Sequence, residues 1–104
     1  MSVIGKRLKE ARLRAGLSQE QLGVHAGIEE DSASVRMSRY EGGTRTPNLE
    51  LVEKLAAVLR VPPAYFYAAD DMTADLLLAY HKLPNRALRN KALATIEKMA
   101  SVKG

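Results

Sequence analysis

The stretch Gly16-Leu17-Ser18-Gln19-Glu20-Gln21-Leu22-Gly23-Val24-His25-Ala26-Gly27-Ile28, running on to Met37-Ser38-Arg39-Tyr40-Glu41-Gly42-Gly43, carries the densest set of start and stop signals in the chain. Ser18 followed three residues on by Gln21 is a capping box, in which each side chain satisfies a backbone N–H that the first helical turn leaves open. Leu17, just ahead of the cap, is placed to staple onto Leu22. These residues predict a helix from Ser18 or Gln19 to about Ala26, broken by Gly27. Ile28 leads into Glu29-Glu30-Asp31-Ser32, a polar turn whose last two residues are both good N-caps. A further helix is expected from about Ala33 to Glu41, with Ala33, Met37 and Tyr40 on its inner face and Gly42-Gly43 as its stop.

Outward from this pair the apolar residues recur at helical spacing, and no stretch alternates as a half-buried strand does. A first helix runs from about Val3 to Ala15, with Ile4, Leu8, Ala11 and Arg12 on one face, and stops at Gly16. Asn48 caps a helix whose Val52, Leu55, Ala56 and Leu59 share a face. Val61-Pro62-Pro63 closes that helix and opens a short one carrying Tyr65-Phe66-Tyr67, with Phe66 expected in the core and the tyrosines as partial cover. Residues 68–71 read as a linker. Beyond it, two amphipathic helices are expected, about Met72 to Leu83 and about Arg86 to Ser101, separated by Pro84-Asn85. The fold class is therefore all-α, divided into residues 1–68 and a helical pair at 69–104.

The 104 residues fit one domain and leave little room for both a core and an enclosed substrate pocket, which argues against an enzyme. A hydrophobic fraction of 46% with 27% charged residues is that of a chain that folds. With no cysteine there is neither a disulfide framework nor a thiolate site. The longest apolar runs fall far short of the ~20 residues of a membrane span, so a cytoplasmic protein is expected. No cofactor and no metal site is expected: His25 and His81 are far apart in sequence, and Asp70, Asp71 and Asp75 need no more than a capping role.

Two short helices joined by a Gly-containing turn and flanked by helices that bury them form the layout of a helix-turn-helix DNA reader; the same pair also occurs as a plain packing unit. The outer face of the second helix holds Ser34, Val35, Arg36, Ser38 and Arg39. Hydroxyls, a small apolar group and guanidinium forks are the chemistry that reads base edges, although a solvated face is the plainer alternative. The N-terminus of the preceding helix, with Gln19 as a side-chain donor, suits a phosphate.

The segments Ile4-Gly5-Lys6-Arg7-Leu8-Lys9-Glu10-Ala11-Arg12, Gly16-Leu17-Ser18-Gln19-Glu20-Gln21-Leu22, Ala26-Gly27-Ile28, Met37-Ser38-Arg39-Tyr40-Glu41-Gly42-Gly43, Pro47-Asn48-Leu49-Glu50 and Leu55-Ala56 resemble, in that order, the Cro and phage-repressor type of helix-turn-helix regulator, the XRE family. The resemblance covers about Val3 to Tyr67. It implies a lambda-repressor-like five-helix DNA-binding domain followed by a two-helix extension. It further implies that Gln19 touches phosphate, that Ser34, Val35 and Arg39 meet base edges with Arg36 and Ser38 beside them, and that Thr44 and Arg45 hold the DNA backbone. Arg12 and Glu41 match a pair that forms an internal salt bridge in many members. One departure stands out. Ile28 and Met37 are nine positions apart, about four residues more than in the family pattern and so close to one helical turn. The insertion either lengthens the second helix at its start or makes a longer loop. Either way it brings Glu29, Glu30 and Asp31 near the end of the helix that approaches DNA. Arg60 stands where many relatives have glycine, a change expected at the helix C-cap alone.

The C-terminal pair offers more apolar surface than a hairpin can hide within itself. It either packs on the N-terminal bundle or forms a dimer interface, and the dimer is the expectation, because two readers ~34 Å apart suit a two-fold operator. The sequence thus predicts a homodimeric, sequence-specific transcriptional regulator, a repressor, with double-stranded operator DNA as its partner and no effector indicated. The alternative is a protein-interaction module such as an antitoxin or accessory subunit. Net charge is unevenly spread: eight Lys/Arg against six Asp/Glu in residues 1–45, three against five in 46–83, and five (Arg86, Arg89, Lys91, Lys98, Lys103) against one in 84–104.

Overall fold

Five of the six α-helices among the described residues begin where a short polar side chain closes the first turn. Ser2 Oγ accepts from the Gly5 N–H at 3.0 Å and starts α1 (Val3–Arg14). Both hydrogen bonds of the Ser18–Gln21 box, 2.9 and 3.0 Å, are present at the start of α2 (Gln19–His25). Asn48 caps α4 (Leu49–Leu59), Asp70 caps α5 (Asp71–His81) and Asn85 caps α6 (Arg86–Ala100). The third helix, α3 (Glu30–Gly42), is the exception: Glu29 stands at its N-cap position with no side-chain hydrogen bond. This computed structural model describes residues 2–102; Lys103, counted above in the basic tail, lies outside them. Among the described residues all regular structure is helical.

The start of α3 resolves the alternatives left by the sequence. The helix begins three residues before the expected Ala33, so the four-residue insertion becomes an added turn and not a longer loop. Asp31 and Ser32, expected as caps, lie inside that turn, where Glu30 and Asp31 complement the positive end of the helix dipole. Ala33 is fully buried. A Cβ on Gly23 would stand 2.9 Å from the Ala33 Cβ and 3.1 Å from Met37, so α2 and α3 touch nearly backbone to side chain, and the helical register of α3 is held there. Gly43, at φ 83°, ends the helix in the left-handed conformation. Arg60 adopts the same conformation at the end of α4, φ 57°, which a residue with a Cβ takes up only at a cost.

The core is built from Leu8 and Ala11 of α1, Leu22 of α2, Met37 of α3, Val52 and Leu55 of α4, and Tyr65 and Phe66. The last two lie in a single 3₁₀ turn, Pro63–Tyr67, and not in an α-helix. Tyr65 corrects the expectation of partial cover: it is as buried as Phe66, the rings packing edge to face with centroids 5.7 Å apart. Its hydroxyl is satisfied inside, accepting from Arg14 Nη2 at 3.0 Å and donating to Glu10 Oε2 at 3.3 Å, as a buried phenol requires.

The C-terminal helices extend the molecule to 53 × 27 × 23 Å. α5 turns Ala74 into the core, with Leu77 and Leu78 packed beside it. Met72, Leu76 and Tyr80 are all left exposed. No residue of α6 is buried, and Leu88, Leu93, Ile96 and Met99 remain in water. Arg89 Nη2 donates to the His81 carbonyl at 3.0 Å and the guanidinium lies over the Tyr80 ring, which ties α6 to the end of α5.

Candidate functional site

The outward face of α3 is the product of what its inward face must do. Ala33, Met37, Tyr40 and Glu41 are buried against α1 and α2, and helical periodicity then turns Ser34, Val35, Ser38 and Arg39 to solvent. Val35 is 52% exposed, an apolar side chain with no packing role. Arg36 is exposed too, but its guanidinium folds back along the helix: Nη2 donates to the Tyr40 hydroxyl at 2.8 Å and the group lies over the Tyr40 ring.

The orientation of α3 is set from below by a buried ion pair. Arg12 Nε donates to Glu41 Oε2 at 2.6 Å and Nη2 to Oε1 at 3.0 Å, a bidentate fork. The remaining Arg12 nitrogen donates to the Leu17 carbonyl at 2.9 Å. Gln19 Nε2 donates to Glu41 Oε1 at 3.2 Å. One carboxylate thus joins α1, the start of α2 and the end of α3. Gln19, read from the sequence as an outward donor, is half-buried and spends one amide hydrogen on this cluster.

The turn after α3 is organised by one carbonyl. The Arg39 carbonyl accepts from the N–H groups of Thr44 (3.1 Å) and Arg45 (3.3 Å) and from Thr44 Oγ1 (3.4 Å). Arg36, Arg39, Tyr40, Arg45 and Thr46 line a cleft of about 250 Å³. Three guanidinium groups stand around it, with no carboxylate in the lining. Thr46 was not singled out in the sequence. At the other end of α3, Glu29, Glu30 and Asp31 are all exposed, so the helix is acidic at its N-terminus and basic towards its C-terminus.

A larger cleft, about 440 Å³, lies between the ends of α1, α2 and α4 and is lined by none of these residues. Its basic side chains, Arg14, His25 and Arg60, stand at three helix C-termini, where the two guanidinium groups complement the dipole. That suffices to explain them.

A second buried arginine escaped the sequence reading. Arg7 is 2% exposed and reaches from α1 to residues 68–71. The signal was in the periodicity: positions 4, 7, 8 and 11 form an i, i+3, i+4, i+7 stripe, and Arg7 puts a charge on it.

A family model described as a helix-turn-helix domain matches residues 3–65, more than half of the chain. The chain belongs to the helix-turn-helix domain family. Among similar proteins, RghRB of Bacillus subtilis, described as an uncharacterized HTH-type transcriptional regulator, is 41% identical over 70 residues, which cover 66% of this chain and 48% of that protein. ImmR of Bacillus subtilis, an HTH-type transcriptional regulator, is 31% identical over 90 residues, covering 83% of this chain and 65% of ImmR. The chain thus spans about half the length of RghRB and about two thirds of ImmR. The crystal structure of the transcriptional regulator BswR superposes with a TM-score of 0.85 at 43% identity, covering 96% of this chain and 98% of that one. In this helix-turn-helix protein the all-α class and the expected family are as read from the sequence, and the relatives are described as transcriptional regulators. No helix among the described residues is long and apolar enough to cross a membrane.

Proposed function

We propose that this chain is a DNA-binding transcriptional regulator that acts in the cytoplasm as a homodimeric repressor. The observation that carries the reading is the face of α3: Ser34, Val35, Ser38 and Arg39 point outward from a helix whose opposite side is locked by the Arg12–Glu41 fork. In this reading Arg39 addresses base edges, Ser34, Val35 and Ser38 flank it, and Arg36 and Arg45 with Thr44 hold phosphate at the rim of the basic cleft. Gln19 adds its second amide hydrogen to a phosphate. Residues 1–68 are the reading unit and 69–104 the dimerisation element, the exposed Leu93, Ile96 and Met99 meeting their copies across a two-fold axis.

Selection of bound duplexes from a random pool tests this directly. A recovered palindrome supports it, and recovery of no preferred sequence overturns it. On the selected site, Arg39→Ala is expected to cost ~1–3 kcal/mol of discrimination, whereas Arg45→Ala weakens all sequences alike and flattens the salt dependence. The exposed apolar stripe of α5 and α6 equally suits an interaction module such as an antitoxin subunit. For that reading, affinity for random duplex would show no dependence on salt.

A further inference from the structure

The segment 68–71 has the place of a linker but not the bonding of one. Arg7 Nε donates to the Ala68 carbonyl at 2.8 Å and Nη2 to the Ala69 carbonyl at 3.3 Å, while Nη1 bridges Asp71 Oδ1 and Glu10 Oε2, each at 3.0 Å. All three nitrogens of one buried guanidinium are used. Lys6 adds a second cation 3.7 Å from Asp71. Glu10 is held in turn by the Tyr65 hydroxyl, which Arg14 also contacts, so the clamp is continuous with the core. Three residues beyond Asp71, Ala74 is buried, a second point at which α5 is seated. A helix pinned at its first residue and again one turn later has a fixed direction relative to α1.

From this geometry we infer that Arg7 is a positioning residue for operator recognition: by clamping residues 68–71 it makes the reading unit and α5 one rigid body. Since Arg89 ties α6 to the end of α5, the separation and angle of two reading helices in a dimer that meets through α6 are thereby set by the bundle and not by a flexible tether. The inference rests on the dimer reading above. With a flexible 68–71 segment, the two readers would tolerate half-sites at many spacings. With the clamp, one spacing is favoured, since the readers must lie ~34 Å apart on one face of the duplex.

The chain has no cysteine, so two nitroxide labels can be placed specifically, at Glu20→Cys on α2 and Lys82→Cys at the end of α5, and diluted with unlabelled chain so that only distances within one protomer are read. The parent is expected to give one narrow distance peak. Asp71→Ala, and more strongly Arg7→Met, should at least double its width, whereas Asp75→Ala, on the same helix, leaves it unchanged. In parallel, binding is measured to duplexes carrying two copies of the selected half-site at spacings varied base pair by base pair. The parent should prefer one spacing at least tenfold, and Asp71→Ala should flatten that preference while binding a single half-site as the parent does. A loss confined to stability would instead weaken single-site binding. An unchanged peak width in both Asp71→Ala and Arg7→Met overturns the clamp and leaves the dimer reading intact. A parent that sediments as a monomer on its operator overturns the dimer reading and, with it, the role in spacing.

Discussion

Two arginines of α1 occupy core-facing positions, and each is tolerable because every nitrogen has an acceptor. For Arg12 the cost of taking two charges out of water roughly cancels their attraction, so the pair with Glu41 contributes orientation more than stability. Removing one partner is another matter. Glu41→Ala should lower unfolding free energy in a urea titration by ~3–5 kcal/mol, because Arg12 is left charged in the interior, whereas the double variant Arg12→Met/Glu41→Leu should recover most of the loss. Around Arg7, burial alone would lower the guanidinium pKa, but the hydrogen bonds and charges of Asp71 and Glu10 outweigh it and hold the value above normal. The same contacts act on Asp71: the hydrogen bond from Arg7, then the charge of Lys6, depress its pKa. Folding therefore favours the ionised carboxylate. This stabilisation is complete above the ordinary carboxylate value of about 4 and is lost as pH falls through the depressed folded value. The melting temperatures of the parent and Asp71→Ala should differ near neutrality and converge in acid. Parallel curves across the acidic range would show that Arg7 does not hold Asp71 in solution.

At the scale of the element, the added turn of α3 is what separates this chain from the sequence pattern it resembles. Helix N-termini in helix-turn-helix readers lead into the groove, and here that end carries Glu30 and Asp31. Their charges serve the helix dipole; under the proposed function they also repel phosphate, lowering non-specific affinity and leaving discrimination to the surface that Ser34, Ser38 and Arg39 share. The triple variant Glu29→Gln/Glu30→Gln/Asp31→Asn should tighten binding to random duplex by on the order of tenfold at low salt, with the gain fading as screening shortens the range of the charges. Its helix should be weaker by a few tenths to about 1 kcal/mol per charge removed from the first turn. Equal affinities of parent and variant across a salt series would place this turn away from DNA.

At the scale of the whole molecule, a bundle packed around Leu22, Met37, Leu55 and Phe66 carries a hairpin whose second helix buries nothing of its own. An apolar row of Leu93, Ile96 and Met99 left in water is costly, at roughly 25 cal/mol per Å² of apolar surface, until another surface covers it. Ile96→Glu is expected to convert a dimer to a monomer in sedimentation equilibrium and, by removing the linkage of two readers, to weaken operator binding by on the order of a hundredfold. Melting of the N-terminal bundle should be little affected, since Ile96 touches none of its core. A monomeric parent would instead assign the row to a different partner.

Much was legible in the residues because the signals were local. Capping at Ser18, Asn48 and Asp70, stops at Gly16, Gly27 and Gly43, and helical periodicity depend on neighbours within one turn, and these determined the all-helical class, the order of the helices and which face of α3 looks outward. The Arg12–Glu41 fork came from likeness to a family and not from spacing, for nothing within one turn says that positions 12 and 41 meet. Tertiary structure alone decided the rest. It made the insertion at 29–32 a helical turn, because Ala33 and Met37 had to stay seated on Gly23. It took Tyr65 into the core, drew Gln19 to Glu41, and used Arg7 to hold residues 68–71 that sequence alone would leave as a tether. The contacts of Gln19, Tyr65 and Arg7 are long-range choices, in which a polar group finds its partner 22 to 61 positions away, and a pattern that repeats every 3.6 residues holds no record of them.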